Sequence, residues 1–493
     1  MGIIKRQGIK NSIVNYFGVA IGAFNVLLIY PNAREAYGLI RFLMDTALLL
    51  TPFILLGVSS LTIRFFPIFK NEENGHNGFL FNLLGMAAIG MALFSFGFFL
   101  LQDKITELYK DKILIRQFIF YIVPFTCMVG LIELLTLYIS NFHRIVVPAL
   151  LNILIKITLP VLIWLYYHDK IGMMTIVQGV AANFLAVLVL LLAYLKYLGE
   201  LNLRPNFSFL KKPLFRDMRT YAMYGILGLL GTMLAIKIDT IMIGTLLGEI
   251  DTGTYAILLF IANVIDIPRV ALMKITSPIV SDASNNNDFA HLEGLYKKSS
   301  INLLMIGIFL FIGIFSNLDS LLDIMPNGDA FKPYTNIVLF VSLAKLVDMA
   351  TSINNQIIGY SKYFRFNFYA VLFMAVFNII TNLIFIPKFN IVGAAMATFA
   401  SITLYNLAKG AYVMYKFKMH PFTWNTLWAT ALGISVFFLA LLTPAFGNPF
   451  ADIIVRSLFI LLVYGGTAFY FRLSTDINDI ITGFIKKINT KIK

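Results

Sequence analysis

Apolar runs of about 20 residues recur along the whole chain, and this pattern constrains the fold more than any other feature. A helix of about 20 residues rises about 30 Å, which is the thickness of the hydrocarbon core of a bilayer. The candidate spans cover residues 12–30, 37–66, 79–101, 118–140, 145–167, 173–195, 221–246, 253–280, 300–316, 334–358, 366–387, 391–415, 424–443 and 453–471. A helix in lipid satisfies its own backbone hydrogen bonds, so the pattern predicts an all-α polytopic membrane protein with about fourteen transmembrane helices.

Little of the sequence is left for a soluble domain. Only 13% of the residues are charged and 59% are hydrophobic, whereas about a quarter of a soluble domain is charged. The second and eighth spans are long and contain Pro52 and Pro268. Because proline removes a helical hydrogen bond, we expect a kink near each of them.

Basic residues outside the spans are distributed unevenly between the two faces of the membrane. With fourteen spans both termini lie on one side, and that side carries 22 lysines and arginines against 8 on the other. Cytoplasmic loops carry the excess of Lys and Arg, so we expect both termini in the cytoplasm. This orientation signal also accounts for the net charge of +14 without a nucleic-acid partner.

An internal repeat becomes visible when the chain is shifted by 221 residues. Arg144 then aligns with Arg365 and Gly172 with Gly393, without a gap between them. The shift equals an even number of spans, so the copies are parallel and pseudo-symmetric. The predicted organisation is an N-terminal six-helix lobe (1–200), a basic cytoplasmic linker (201–220), a C-terminal six-helix lobe (221–418), two C-terminal helices (419–472) and a cytoplasmic amphipathic tail (473–493).

Charged residues at membrane depth are the candidates for a substrate cavity, because each costs roughly 3 kcal/mol to insert. Nine basic residues and five acidic residues lie inside the spans, so the interior is net positive. The candidates for the cavity are Arg41, Asp45, Lys156, Lys237, Asp239, Asp266, Arg269, Lys274, Lys345 and Asp348. A positive interior suits an anionic phosphate-linked lipid better than a cationic drug.

Some of these residues have a purely structural alternative. Residues three or four apart share a helix face and can neutralise each other. The pairs with this spacing are Arg41 with Asp45, Asp266 with Arg269, and Lys345 with Asp348. In each pair the charges would then stabilise the fold without contacting a substrate.

Lys237 and Asp239 are two residues apart, so they point in different directions and cannot pair on one face. We expect Lys237 to face the central cavity and Asp239 to anchor the seventh span to its own lobe. The alternative is that Lys237 pairs with an acid of the eighth or tenth span, such as Asp266 or Asp348.

Other buried bases are less informative. Lys156 lies in the middle of a span with no acid within one turn, so it either serves the cavity or pairs with Glu133. Arg64, Lys409 and Arg456 lie within about two turns of a span end, and we expect them to extend to the interface.

The sequence contains no recognisable residues for catalysis or nucleotide hydrolysis. No GxxxxGK[ST] loop is present, and no two of the five histidines have the spacing of metal ligands. We therefore expect a protein that is not an enzyme and needs no cofactor or metal. Its energy source would be an ion gradient, the membrane potential or consumption of the product.

Two segments resemble signatures of a known transporter family. KIDTIMIGTLLGEIDTGTYAI (Lys237–Ile257) and IPKFNIVGAAMATF (Ile386–Phe399) are similar to the polysaccharide-exporter branch, with its O-antigen-type flippases, of the multidrug/oligosaccharidyl-lipid/polysaccharide (MOP) exporter superfamily. The plan of fourteen spans, two lobes and a basic middle loop resembles that family over nearly the whole chain.

This resemblance implies a flippase that moves undecaprenyl-pyrophosphate-linked oligosaccharide across the bacterial inner membrane by alternating access. The implied pathway is O-antigen, capsule or related polysaccharide biosynthesis. Spans one, two, seven and eight would line the cavity, which adds Asn15 and Asn25 to the candidates. The implied partners are the lipid-linked oligosaccharide, membrane lipids and polysaccharide polymerase machinery, and we expect a monomer.

Three alternatives stay open at the level of sequence. A cation-coupled antiporter of the same fold often has an acid in its first span, and SIVNYFGVAIGAFNVLLIY has none. A flippase of the peptidoglycan precursor lipid II has an aromatic-rich Asp-Thr-x-Thr-Pro loop where this chain has GYSKYFRFN. A membrane-embedded polymerase or ligase usually carries a sizeable external loop, whereas the external loops near 102–117 and 317–333 are short.

Overall fold

A computed structural model describes residues 2–207, 213–444 and 446–492, and within these ranges every regular element is helical. The first half of the chain contains α1 (Gly2–Phe24), α2 (Arg34–Ile54), α3 (Val58–Arg64), α4 (Phe66–Phe69), α5 (Phe79–Leu100), α6 (Gln102–Leu108), α7 (Ile113–Phe118), α8 (Ile122–Ser140), α9 (Val146–Leu151), α10 (Leu154–Tyr167), α11 (Met173–Tyr197), α12 (Pro213–Leu246) and α13 (Glu249–Asn263). The second half contains α14 (Ile267–Asn285), α15 (Phe289–Ser316), α16 (Leu318–Ile324), α17 (Asn336–Thr351), α18 (Asn354–Gly359), α19 (Arg365–Phe417), α20 (Trp424–Leu441), α21 (Pro449–Ile460), α22 (Gly466–Tyr470) and α23 (Thr475–Ile492). The predicted all-α polytopic architecture is confirmed.

The helices in the described ranges give fewer membrane crossings than the hydropathy pattern predicts. In the described ranges, eleven helical segments are long and apolar enough to cross a membrane, or twelve if a bent pair forms one span. Two of them, Lys10–Ile54 and Arg365–Phe417, have 45 and 53 residues, about twice the length that one crossing requires. The first is interrupted by a π-helical turn at Asn25–Ile29, and the second by Asn390, whose φ of 52° and ψ of −142° are not helical. The number fourteen therefore stays a prediction.

Helix breaks lie near both prolines that predict kinks. The α2 helix ends two residues after Pro52, and Leu56 and Gly57 then adopt positive φ angles of 48° and 79°. A 3₁₀ turn at Val264–Asp266 separates α13 from α14 immediately before Pro268. Because Gly57 has no Cβ, it adopts this left-handed conformation at little cost.

The chain forms two compact units, Met1–Ile257 and Leu258–Lys493. In the first unit α2 packs against α5, α8 and α12, so the seventh predicted span belongs to the same unit as the second. The lobes 1–200 and 221–418, the spans of 419–472 and the linker 201–220 stay predictions, and residues 208–212 of that linker lie outside the described residues.

Close backbone packing in the first unit depends on two glycines. A Cβ at Gly38 of α2 would overlap the carbonyl oxygen of Glu249, and a Cβ at Gly253 of α13 would overlap the carbonyl oxygen of Arg34. Each glycine therefore lets its own helix approach the backbone of the other. This contact fixes α13, and with it the tyrosine that binds Asp239, beside α2.

In the second unit α19 packs against α17 and α18, and α15 packs against α17 and α20. The predicted tail is helical over Thr475–Ile492, and near its start Asn478 donates a hydrogen bond of 2.7 Å to the carbonyl oxygen of Phe469. The side chains of residues 484–493 lie outside the described part, so the amphipathic face of the tail stays a prediction.

Candidate functional site

Three charged side chains meet in the interior of the first unit. Asp45 of α2 is only 1% exposed. Lys237 of α12 donates a hydrogen bond of 2.7 Å to its Oδ1, and Arg41 Nε lies 2.9 Å from its Oδ2. Two cations share one carboxylate, so the cluster is net positive. We call these residues the α2–α12 charge cluster.

The partner of Lys237 differs from both acids that the alternative interpretation named. The structure places Asp45 of the second span beside Lys237, rather than Asp266 or Asp348. Residue spacing cannot reveal this pair, because it depends on how two helices are rotated about their axes when they pack. The side chain of Lys237 is 14% exposed, so most of it has lost its contact with solvent.

Asp239 lies on a different face of α12 from Lys237, as the sequence predicts. It is 9% exposed and accepts a hydrogen bond of 3.1 Å from the hydroxyl of Tyr255 in α13. Tyr255 is itself fully buried. This contact joins α12 to α13 within the first unit.

A second charged cluster lies in the second unit. Arg269 donates two hydrogen bonds to Asp266, of 2.5 Å from Nε to Oδ1 and 2.9 Å to Oδ2. Lys345 Nζ lies 3.8 Å from the same carboxylate. The Asp266–Arg269 pair thus has the geometry that its spacing predicts, while Lys345 pairs with Asp266 rather than with Asp348.

Asp348 is held by an amide instead. Its Oδ1 accepts a hydrogen bond of 2.6 Å from Asn406 of α19, and no lysine or arginine nitrogen of the described ranges lies within 4 Å of it. Asn406 in turn accepts hydrogen bonds from Thr351 and Asn354 through its Oδ1. The amide therefore ties the tenth predicted span to α19.

The sequence interpretation also placed Lys409 wrongly. We expected it to extend to the interface, but it is 1% exposed. Its Nζ donates to Asn355 Oδ1 at 2.7 Å and to the Tyr405 hydroxyl at 3.0 Å. The polar residues Tyr405, Asn406 and Lys409 fall within one turn of an otherwise apolar run, and that local cluster was the signal that could have identified it.

A polar cavity of about 160 Å³ lies next to several of these groups. Its lining includes Arg269, Asp348, Asn355, Gln356, Tyr405 and Lys409. The cavity lies beside the break between α17 and α18. We call Asp266, Arg269, Lys345, Asp348 and Lys409 the α14–α19 charge cluster.

The remaining site candidates stand apart from both clusters. Lys156 donates a hydrogen bond of 2.9 Å to the carbonyl oxygen of Gly18, and its own carbonyl accepts one of 2.6 Å from Asn25. It thus ties α10 to α1 rather than pairing with Glu133. Lys274 is exposed on α14 and belongs to neither cluster.

Comparisons with known proteins bear on what such an arrangement does. Residues 33–284 match a family described as polysaccharide biosynthesis protein. The probable low-salt glycan biosynthesis flippase Agl15 of Haloferax volcanii is 24% identical over 225 residues, which cover 44% of this chain and 48% of that protein. The match therefore spans about half the length of that relative.

Solved structures with this fold include two kinds of transporter. The lipid II flippase MurJ in its inward closed conformation superposes with a TM-score of 0.74 at 16% identity, covering 96% of this chain and all of that one. A multidrug resistance MATE family transporter of the MOP superfamily, in an inward-facing conformation, gives a TM-score of 0.62 at 11% identity over 81% of this chain and 94% of that one. At such identities the likeness establishes the fold alone.

Proposed function

We propose, since the chain belongs to the polysaccharide biosynthesis protein family, that it is a flippase for a lipid-linked oligosaccharide. The proposed substrate is an oligosaccharide on undecaprenyl pyrophosphate, carried across the bacterial inner membrane by alternating access for O-antigen, capsule or a related polysaccharide. No covalent step is part of this activity, so the protein acts as a transporter rather than an enzyme. The proposed topology has both termini in the cytoplasm.

The α2–α12 charge cluster is the observation that carries the proposal. Arg41 and Lys237 share the single carboxylate of Asp45, so one positive charge remains uncompensated in the interior. The Arg41 side chain is 33% exposed whereas Asp45 is 1% exposed, so the excess charge is accessible to a ligand of opposite sign. The planar donor fork of Arg and the compact ammonium of Lys are both suited to phosphate oxygens.

The α14–α19 charge cluster has the same excess when Lys409 is protonated. Arg269, Lys345 and Lys409 carry three positive charges, and Asp266 and Asp348 carry two negative charges. A pyrophosphate with about two negative charges would be attracted to each cluster in a medium of low dielectric constant. A cationic substrate would be repelled by both.

Competition for Lys237 supplies a physical step for transport. A pyrophosphate that binds Lys237 takes its ammonium from Asp45, and the hydrogen bond between α12 and α2 is then lost. The carboxylate keeps Arg41 as its partner, so the step leaves no isolated buried anion. Substrate binding would in this way favour a conformation in which α12 is released from α2.

The experiment that tests this function is reconstitution of the purified protein in proteoliposomes with a radiolabelled undecaprenyl-pyrophosphate oligosaccharide. Glycosidase added outside the vesicles cleaves only the outward-facing substrate, so its yield reports translocation. We expect the labelled lipid to become fully accessible with the protein and to stay about half accessible in protein-free vesicles. Equal accessibility in both preparations would contradict the proposal.

The same vesicles distinguish the alternatives. A lipid II flippase would make lipid II accessible in preference to the oligosaccharide, and a cation-coupled antiporter would release a trapped cationic dye when a Na⁺ or H⁺ gradient is applied. The structural likenesses favour neither, because both kinds of transporter share the fold. The mass of the detergent-solubilised protein tests the proposed monomeric state. Crosslinking in membranes tests the proposed contact with polymerase machinery.

A further inference from the structure

Lys409 is an ammonium-bearing residue buried without an acidic partner. Both of its hydrogen-bond acceptors are neutral, the Asn355 amide oxygen and the Tyr405 hydroxyl. Among the described residues no carboxylate oxygen lies within 4 Å of its Nζ. Burial of an unpaired charge costs several kcal/mol, which favours the neutral amine over the ammonium at this position.

The charges around the cavity favour the same conclusion. Arg269 of α14 and Asp348 of α17 line the cavity with Lys409, and Lys345 and Asp266 complete the cluster. The amides of α18 contribute polar atoms but no charge. With Lys409 neutral, two cations balance two anions; with Lys409 charged, the cluster carries one excess positive charge.

The hydrogen bonds of Lys409 survive a change of protonation. A charged ammonium donates to both acceptors, as the distances of 2.7 and 3.0 Å describe. A neutral amine can still donate to Asn355 Oδ1, while its lone pair accepts from Tyr405, because a phenol hydroxyl both donates and accepts. The site therefore has satisfied partners in both states.

The cavity has room for water molecules that can accept the proton. Its volume of about 160 Å³ has room for several water molecules, at about 30 Å³ each. Ser352 Oγ and Gln356 Oε1 are buried polar atoms without a partner in the described part of the chain, and such groups are normally satisfied by water.

Backbone strain marks the same place. Ser352, at the break between α17 and α18, has φ of 43° and ψ of −114°, a conformation that residues with a side chain rarely adopt. Outliers of this kind concentrate at functional sites. Broken membrane helices commonly line the sites where transporters hold coupling ions.

We propose that Lys409 is the proton-binding site that couples this transporter to a proton gradient. In the release step one Nζ–H bond breaks, the electron pair stays on nitrogen, and the proton passes to water in the cavity; rebinding reverses these changes. The inference rests on the proposed function, because an anionic pyrophosphate favours the charged form of Lys409 and its departure favours release. Proton binding and substrate binding are then coupled through charge.

The test uses the full-length protein in proteoliposomes with and without a pH gradient. We expect the gradient to accelerate flipping by the wild type at least about 10-fold. Lys409→Gln, which is permanently neutral, and Lys409→Arg, which cannot be deprotonated, should both lose this response. Lys409→Gln should keep slow flipping that no pH gradient changes. The control is Lys416→Gln, an exposed lysine of the same helix, which should respond as the wild type does.

A second measurement requires no substrate. Difference titration of the detergent-solubilised wild type against Lys409→Gln counts the protons that this residue exchanges near neutral pH. One exchangeable proton supports the proposal, and none overturns it. An undiminished response of Lys409→Gln to the pH gradient, or acceleration of the wild type by a Na⁺ gradient alone, also overturns it. Absence of any flipping by the wild type, with the exchangeable proton present, speaks against the proposed function and not against the proton site.

Discussion

Lys237 Nζ lies 2.7 Å from Asp45 Oδ1, so an ammonium of α12 shares a buried carboxylate that Arg41 of α2 also contacts. The same contact answers two questions about this membrane protein. It explains how a lysine is tolerated in an apolar helix, and it links α12 to α2. Because two cations share one anion, it also leaves one positive charge in excess, which the proposed substrate would use.

Removal of the ammonium should cost stability as well as transport. In Lys237→Met, Asp45 loses a hydrogen bond but keeps Arg41, so we expect a loss of roughly 1–3 kcal/mol rather than the 3–5 kcal/mol of a fully broken buried pair. Thermal unfolding in detergent measures this change. Asp45→Asn added to Lys237→Met should deepen the loss, since Arg41 then loses its carboxylate partner. A Lys237→Met protein as stable as the wild type would mean that the pair contributes nothing to folding.

The sequence reveals pairs within a helix far better than pairs between helices. The spacings of Arg41 with Asp45 and of Asp266 with Arg269 predict contacts that the structure contains. The partner of Lys237 was missed because helix packing, rather than spacing, decides it.

The site in the second unit shows a second limit. Lys409 was missed because a base near the end of an apolar run is normally assigned to the membrane interface. In the structure its side chain instead points toward Asn355 and the cavity. The all-helical membrane fold required only composition and periodicity. Prediction of the polar cavity would have required knowledge of the helix break at Ser352, and nothing in the segment LVDMATSINNQIIG indicates that break.

The resemblance to the exporter superfamily could be recognised from sequence. Its first segment, Lys237–Ile257, lies inside the region 33–284 that matches the polysaccharide biosynthesis family, while Ile386–Phe399 lies outside it. The first segment also carries the packing glycine Gly253 and the Asp239–Tyr255 contact. The segment therefore holds residues that position α12 and α13.

A methyl group at that glycine should be poorly tolerated. In Gly253→Ala the new Cβ would overlap the carbonyl oxygen of Arg34, which belongs to a helix backbone and cannot move aside cheaply. We expect a loss of about 3 kcal/mol or more, or failure to accumulate in the membrane. The matched control is Gly85→Ala in α5, where no atom beyond the adjoining backbone of the same helix lies within 4 Å of the new Cβ. Equal thermal stability of the two variants would contradict the close approach of α2 and α13.

The topology can be tested with single cysteines. In a Cys127→Ser background, a cysteine placed at Glu200 should react only after the membrane is permeabilised, because the charge distribution predicts that loop 196–220 is cytoplasmic. A cysteine at Asp111, in loop 102–117, should react from outside intact cells with an impermeant maleimide. Labelling of the Glu200 position from outside would reverse the orientation and exclude cytoplasmic termini.

Substitutions of the Arg269–Asp266 pair separate a flippase of an anionic lipid from a cation-coupled antiporter. Arg269 donates two hydrogen bonds to Asp266 and also lines the polar cavity. Its charge can therefore act on Asp266 and on an anion in the cavity. If the substrate is a pyrophosphate, Arg269→Ala should slow flipping about 10-fold to 100-fold, as expected for loss of a hydrogen bond to a charged group. Arg269→Lys should recover part of that rate, because it restores the charge without the planar fork.

Asp266→Asn is the informative counterpart. It removes the anion and leaves Arg269 and Lys345 uncompensated, so the cluster becomes more positive and an anionic lipid should still bind. A moderate loss of stability is expected with flipping retained, and thermal unfolding measured beside the glycosidase assay separates the two effects. An antiporter would show the reverse order, because its coupling cation requires the carboxylate. Full activity of Arg269→Ala together with complete inactivity of a folded Asp266→Asn protein would therefore favour the antiporter and refute the assignment of an anionic substrate.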